Sequence, residues 1–161
     1  MRNLLLVFSS LLLMVGLHAA EYPRMGEDIY DPRADGQAQI TAALIQARAE
    51  GKNVLLMFGA NWCIWCHRLH HTFGTNEEVA AQLNRDFVVV MVDANTRNGT
   101  KRNAAVNDQY GNPIQYGLPV LVVLDASGKL LVTQETGALE DGAGHSPAKI
   151  MASLREWAPK S

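Results

Sequence analysis

Cysteine is nearly absent from this chain: Cys63 and Cys66 are the only two in 161 residues. A disulfide-stapled fold is excluded. Stability must come from burying apolar surface, for which the length suffices in one domain. Charge is sparse too, with 19% charged against 48% hydrophobic residues, a balance that argues against disorder. The formal net charge is −2 and no basic cluster occurs, so nucleic acid is not expected as a partner. Internal repeats and low-complexity tracts are missing. No acidic residue lies between Lys52 and Asn76, so neither cysteine has a carboxylate close by in sequence.

Long apolar runs are missing as well. Residues 4–17 are apolar apart from Ser9, Ser10 and Gly16, which falls short of the roughly 20 residues that span a bilayer. With Arg2 before it and Ala19-Ala20 after it, the stretch reads as a secretory signal peptide over residues 1–20. His18, three residues before a cut after Ala20, makes the cleavage site imperfect. The mature protein is then expected in the periplasm or secreted, with no stable membrane insertion, in an oxidising compartment. The closing residues Pro159-Lys160-Ser161 carry no Lys-Asp-Glu-Leu type of retention signal.

What is present centres on Trp62-Cys63-Ile64-Trp65-Cys66-His67. The apolar run 54–58 before it reads as a strand covered on both faces, and Gly59-Ala60-Asn61 as a turn. Residues from Cys63 to Phe73 suit a helix. Both cysteines therefore fall where a buried strand hands over to the first turn of a helix. Free backbone N–H groups and the helix dipole there favour an anion, which lowers a thiol pKa and supplies a thiolate near neutral pH. Spacing of i and i+3 puts the second sulfur within reach of the first. A Cys-x-x-Cys in this setting reads as a dithiol–disulfide couple.

The remaining elements follow from periodicity and caps. Residues 21–36, polar with Pro23 and Pro32, read as an irregular lead-in. A helix is predicted over 37–50, with Ile40, Ala43, Leu44 and Ala47 on its apolar face, Asp35 as its cap and Gly51 as its stop. The motif helix is expected to pause at Gly74 and restart from a capping box at Thr75-Asn76-Glu77-Glu78. Strands are predicted over 87–92, 119–124 and 130–133, the last two joined by a hairpin turn at 125–129. A short helix is expected at about 101–110 within the Asn- and Gly-rich segment 95–116, and a loop at 137–144. Ser146 caps a final helix with Pro147 in its first position and Ile150, Met151, Leu154 and Trp157 as its stripe. Phe73, Phe87 and Leu121 are core by the same periodicity. His71 and His145 read as solvated helix and loop residues. Asp93 and Asn95 lie just past a strand end, where turn chemistry or the site would use them. The order is that of an α/β domain.

That order, with the stretches FGANWCIWCHRLHHTF, EEVAAQLNRDFVVVMVD and GLPVLVVLDASGK, resembles the thioredoxin superfamily over residues 37–158. Within it, the chain is similar to exported thioredoxin-like proteins and to the thioredoxin-like domain of the periplasmic DsbD reductase. The resemblance implies a thioredoxin fold, with a central mixed sheet of about four to five strands flanked by helices. It implies no cofactor. It also implies that Pro119 is cis and faces the cysteines, with Leu118 offering backbone groups to a substrate peptide. The expected activity is thiol–disulfide exchange with protein disulfides or dithiols, served by a redox partner protein. Cys63 would attack as a thiolate and Cys66 would resolve the mixed disulfide. Trp62 and Trp65 would flank the sulfurs as a docking surface, although Trp62 also suits half-buried scaffold. Two departures from the family stand out. Met57 occupies the position, six before the first cysteine, where thioredoxins usually carry a buried acid, and no proline lies between the cysteines. His67 is then the nearest candidate to tune the Cys63 thiolate or to accept the resolving proton, unless it points to solvent.

Three other readings share these residues. Cys63-Ile64-Trp65-Cys66-His67 satisfies the haem-attachment pattern of c-type cytochromes, against which four strand signals weigh. Cys63, Cys66, His67 and His70 can share a helix face, and two thiolates with two imidazoles suit zinc or copper delivery. One helical turn does not easily complete a tetrahedral shell, so no metal is assigned. A merely structural disulfide would close too short a loop to add much stability.

Overall fold

The computed structural model describes residues 25–160. The proposed signal peptide lies outside the described residues. Four strands form the central sheet: β1 (Asn53–Gly59), β2 (Phe87–Asp93), β3 (Val120–Leu124) and β4 (Leu130–Glu135). Their order is β2-β1-β3-β4, with β1 and β2 parallel and the other pairs antiparallel. Among the described residues five α-helices accompany it: α1 (Gly36–Glu50), α2 (Ile64–Thr75), α3 (Glu77–Asp86), α4 (Ala104–Gln109) and α5 (Pro147–Trp157). A separate two-stranded ribbon pairs β5 (Glu140–Asp141) with β6 (Gly144–His145).

The two central strands, β1 and β3, are buried throughout because both their faces are covered, and the two-residue strand period divides their side chains between two cores. Leu55, Met57, Leu121 and Val123 pack with Leu69 and Phe73 of α2, Leu83 of α3, and Ile150, Leu154 and Trp157 of α5. Val54, Leu56, Phe58, Val120, Val122 and Leu124 pack with Ile40, Ala43 and Ala47 of α1 and Val106 of α4. Phe73, Phe87, Leu121 and Trp157 are buried, as their periodicity predicts. Both faces being covered is also what lets β1 end at a fully enclosed point, the place from which the Cys-x-x-Cys segment departs.

Several boundaries differ from the sequence expectation, each for a local reason. The helix bearing the motif does not pause at Gly74 but runs to Thr75, whose hydroxyl bonds the His71 carbonyl. Asn76, not Thr75, caps α3, its side chain accepting from the Val79 N–H at 3.1 Å. The helix expected over 101–110 is cut to Ala104–Gln109 because Asn103 stands at φ 48°, a left-handed conformation that no helix interior tolerates. Strand β4 continues to Glu135. The loop expected at 137–144 instead folds into a 3-10 turn (Gly137–Leu139) and the ribbon. As expected, Asp35 caps α1 and Gly51, at φ 67°, closes it.

His145 is the largest departure. It belongs to β6, is 1% exposed, and packs edge-on against Trp65 with ring centroids 5.6 Å apart. The ribbon is held by a Ser146 N–H to Leu139 carbonyl bond of 2.8 Å and by the Lys149 ammonium on the Glu140 carbonyl at 2.7 Å. Neither ring nitrogen of His145 has a hydrogen-bond partner among the described residues. Burial, and secondarily the Arg68 cation, push its pKa down to about 4.

Two outcomes follow for stability. Asn53, buried at the start of β1, donates to the Trp157 carbonyl at 2.8 Å and ties the sheet to the end of α5. Asn53→Ala leaves that carbonyl unpaired and should cost about 1–3 kcal/mol in denaturant unfolding. For His145, the folded chain binds its proton near pH 4, whereas the unfolded chain binds it near 6.5. The unfolded state therefore holds more protons between these values. Stability should be complete above about pH 6.5, fall as pH drops toward 4 by about 3 kcal/mol, and level off below that. Unfolding midpoints of the parent and His145→Phe across pH 4–7 check this: the variant should lose that part of the slope.

Candidate active site

Strand β1 delivers the chain to Gly59, Asn61 and Trp62 turn it, and Cys63 becomes the N-cap of α2. The Cys63 N–H donates to the Ala60 carbonyl at 2.9 Å, and the Cys63 sulfur accepts from the Cys66 N–H at 3.1 Å. The cap position normally taken by Ser, Thr, Asp or Asn is here taken by sulfur. That N–H and the positive end of α2 are placed to stabilise a Cys63 thiolate. Cys63 and Cys66 are joined in a disulfide with Cα atoms 5.2 Å apart.

The two sulfurs differ in access. Cys63 is 6% exposed and lines a groove of about 430 Å³, while Cys66 is 0% exposed and lies in the core. Trp62, Trp65, Arg97, Ile114, Gly117 and Leu118 share that groove with Cys63. The Leu118–Pro119 peptide bond is cis, and Pro119 is buried. The Pro119 carbonyl accepts from the Thr136 hydroxyl at 2.6 Å, which fixes the segment against β4. A larger cavity, about 740 Å³, lies at the other end of β1 beside Lys52, Asn53 and Trp157, away from the sulfurs.

The tryptophans are held by specific contacts. Trp62 donates from Nε1 to the Asn95 side-chain oxygen at 2.8 Å, and the Arg97 guanidinium covers its ring at 3.6 Å from the centroid. Asn95 also accepts from the Arg97 N–H at 2.9 Å, so one Asn ties the Trp to the cation that covers it. Trp65 carries Arg68 at 4.5 Å and has His145 at its edge. Asn95, a possible turn residue in the sequence, thus holds two residues of the groove wall, Trp62 and Arg97. Asp93 ends β2 opposite Gly59, where its side chain accepts from the Asn95 N–H and stands 3.4 Å from the Arg102 Nε.

His67 does not point to solvent. It is buried, and its Nε2 lies 2.8 Å from the Asn61 carbonyl, an acceptor, so that nitrogen carries hydrogen and donates. A haem attached here would need both sulfurs and an imidazole nitrogen turned to an open pocket. Cys66 and His67 are turned inward. No group of three or more His, Cys, Asp or Glu side chains among the described residues is placed to hold a metal ion, and His70 is exposed. The zinc or copper reading finds no support in this geometry.

Sequence reasoning read the lead-in as irregular, as it is over residues 25–35, but missed that it packs against the site. Tyr30 is 1% exposed and belongs to the same core cluster as both cysteines. Asn61, the residue before the motif, clamps it: the Asn61 side-chain oxygen accepts from the Ile29 and Tyr30 N–H groups at 3.0 and 2.8 Å, and its amide donates to the Tyr30 carbonyl at 2.9 Å. No periodicity marks a single buried Tyr in an irregular segment. The one local signal is an Asn just before the helix that is not its cap.

Among the described residues, no helix is long and apolar enough to cross a membrane. The thioredoxin-like domain family matches residues 40–143. The chain is 32% identical over 109 residues to the thiol:disulfide interchange protein DsbD of Actinobacillus pleuropneumoniae serotype 5b (strain L20), covering 66% of this chain and 16% of that protein. It is 38% identical over 55 residues to mouse spermatogenesis-associated protein 20, or 34% of this chain and 7% of that one. The chain thus spans only a small part of these relatives. Among solved structures, a disulphide isomerase from Xylella fastidiosa Temecula1 superposes with TM-score 0.69 at 33% identity, over 80% of this chain and 95% of that one. The oxidised DsbD C-terminal domain of Neisseria meningitidis shares the fold, with TM-score 0.54 at 23% identity over 77% and 97% of the two chains. With the sheet order, the cis Leu118–Pro119 bond and the disulfide at the start of α2 already in place, these matches show that the chain belongs to the thioredoxin-like domain family.

Proposed function

We propose that the protein is an exported thiol–disulfide oxidoreductase that exchanges disulfides with protein substrates through Cys63 and Cys66, in the periplasm or outside the cell. The observation that carries this reading is the asymmetry of the pair. Cys63 caps α2 and lines the groove, while Cys66 is buried behind it. An incoming disulfide meets Cys63 first. The Cys63 thiolate attacks a substrate sulfur and forms a mixed disulfide. The Cys66 thiolate then attacks the Cys63 sulfur, and the substrate leaves as a thiolate that takes up a proton. Run in reverse, the same pair oxidises a dithiol. A redox partner protein resets the couple in either direction.

In this reading the substrate segment lies in the groove between Trp62, Trp65 and Leu118, with Pro119 behind it. One ring face of Trp62 is already covered by Arg97, so Trp65 and the Leu118 backbone offer the freer contacts. The support comes from the geometry of the groove and from the disulphide isomerase and interchange proteins that the chain is similar to. His67 acts here through Asn61, since its Nε2–H is committed to that residue's carbonyl and cannot accept the resolving proton. Proton acceptance by that nitrogen, one of the two roles the sequence suggested, is dropped from the proposal.

The test is trapping. Expressed with its leader, Cys66→Ser should accumulate mixed disulfides with exported proteins that dissolve on reduction, and Cys63→Ser should not. Trapping by Cys63→Ser instead would reverse the roles, and trapping by neither would end the reading. The reduction potential of the purified pair against glutathione sets the direction: a value near −270 mV makes it a reductant and one near −120 mV an oxidant.

A further inference from the structure

The resolving cysteine must lose a proton inside an apolar core, and no carboxylate stands in the strand beneath it. Met57, at the position where a buried acid would sit, is fully buried among Leu55, Leu69 and Leu121. What the core holds instead is the Tyr30 hydroxyl. A Cβ built on Gly59 would collide with that hydroxyl and with the Cys66 sulfur, the latter at 2.6 Å. Both groups border the space that the missing side chain leaves, so they are neighbours across one glycine. The hydroxyl is buried with no hydrogen-bond partner among the described residues while Cys63 and Cys66 are bonded to each other. A buried hydroxyl without a partner is destabilising. Three hydrogen bonds between the Asn61 side chain and the Ile29 and Tyr30 backbone nevertheless hold Tyr30 in place.

We infer that Tyr30 is the hydrogen-bond donor for the Cys66 thiolate, a partner that exists only when the disulfide is open. This rests on the thiol–disulfide reading of the pair. In the mixed disulfide, Cys66 carries a free thiol facing the hydroxyl. Its proton passes to solvent, and the Tyr30 O–H stabilises the resulting anion without giving up its own proton. The thiolate attacks Cys63, the Cys63–Cys66 bond forms and the Cys63–substrate bond breaks. The substrate sulfur departs with the electron pair and takes a proton from solvent, which balances the one lost. Two thiols are oxidised and one substrate disulfide is reduced. Burial, then the Asp93 carboxylate, hold the Tyr30 hydroxyl well above the ordinary tyrosine range, so it remains protonated and serves as a donor, not a base. The other ionisable groups around the pair are accounted for: Asp93 faces Arg102, and His67 faces the Asn61 carbonyl.

Tyr30→Phe removes the hydroxyl and keeps the ring. In a Cys63→Ser background Cys66 is the sole thiol, and its ionisation is read from thiolate absorbance, with the double serine variant as blank. The Cys66 pKa should rise by about one unit or more on Tyr30→Phe, and resolution of a glutathione mixed disulfide on Cys63 should slow about tenfold. The oxidised Phe variant should melt no lower than the oxidised parent, because the hydroxyl has no partner to lose there. An unchanged or lowered Cys66 pKa overturns the assignment, as does a marked loss of stability in the oxidised form, which would reveal a structural partner. The titration needs no substrate. An inactive parent would therefore sink the oxidoreductase reading while leaving Tyr30 separately tested.

Discussion

The absence of a side chain at Gly59 is the constraint on which the site depends. Strand β1 ends there, fully buried between two cores, and a single methyl group at that point would drive apart the Tyr30 hydroxyl and the Cys66 sulfur. Glycine is needed here for close approach, not for an unusual backbone angle. Its neighbour Asp93 across the β1–β2 pairing carries the acid of this region, and the Ala94 N–H bonds the Gly59 carbonyl at 2.7 Å. The end of the parallel pair is therefore locked from below by the sheet and from above by the lead-in. The α2 start that follows has little freedom in where it places Cys63.

Each sulfur is provided with a different kind of anion stabilisation. Cys63 has the backbone: its own N-cap position, the Cys66 N–H and the aligned peptides of α2. Cys66 is a turn inside the helix, where those amides are already used, and has only side chains to draw on. In a low-dielectric core even one hydroxyl donor has a large effect on a thiolate, and an unpaired carboxylate would have the opposite sign. That the nearby Asp93 is paired with Arg102 keeps its charge from acting on the sulfur at full strength.

The groove rim is shaped by few fixed contacts. Asn95 holds both Trp62 and the backbone of Arg97, and the guanidinium then covers the indole. Trp65 is braced by Arg68 on its face and by the neutral, buried His145 at its edge. The ribbon that carries His145 has only two residues in each strand, yet it reaches α2. Its burial of an unpartnered imidazole weakens the fold in acid, a cost accepted in exchange for packing against the motif helix.

The sequence by itself determined the α/β class, the four sheet strands, the caps at Asp35 and Ser146, and the two sulfurs at a helix start. All of these rest on local signals: strand-period and helix-period burial, capping chemistry and a short motif. Leu118 in the groove with Cys63, and the cis bond to Pro119, were legible only through family resemblance, because some fifty residues separate them from the motif. The Thr75 cap and the 101–110 helix were misread where two adjacent residues competed for one cap and where a left-handed Asn103 interrupted a helical stretch. Only the tertiary structure decided that Tyr30 lies against Cys66, that Asn61 clamps it, and that His145 is core and not loop. The reason is physical. An irregular segment has no period to reveal which of its side chains is buried. That choice is made by a vacancy, here the one at Gly59, that exists only once β1, α2 and the lead-in have come together.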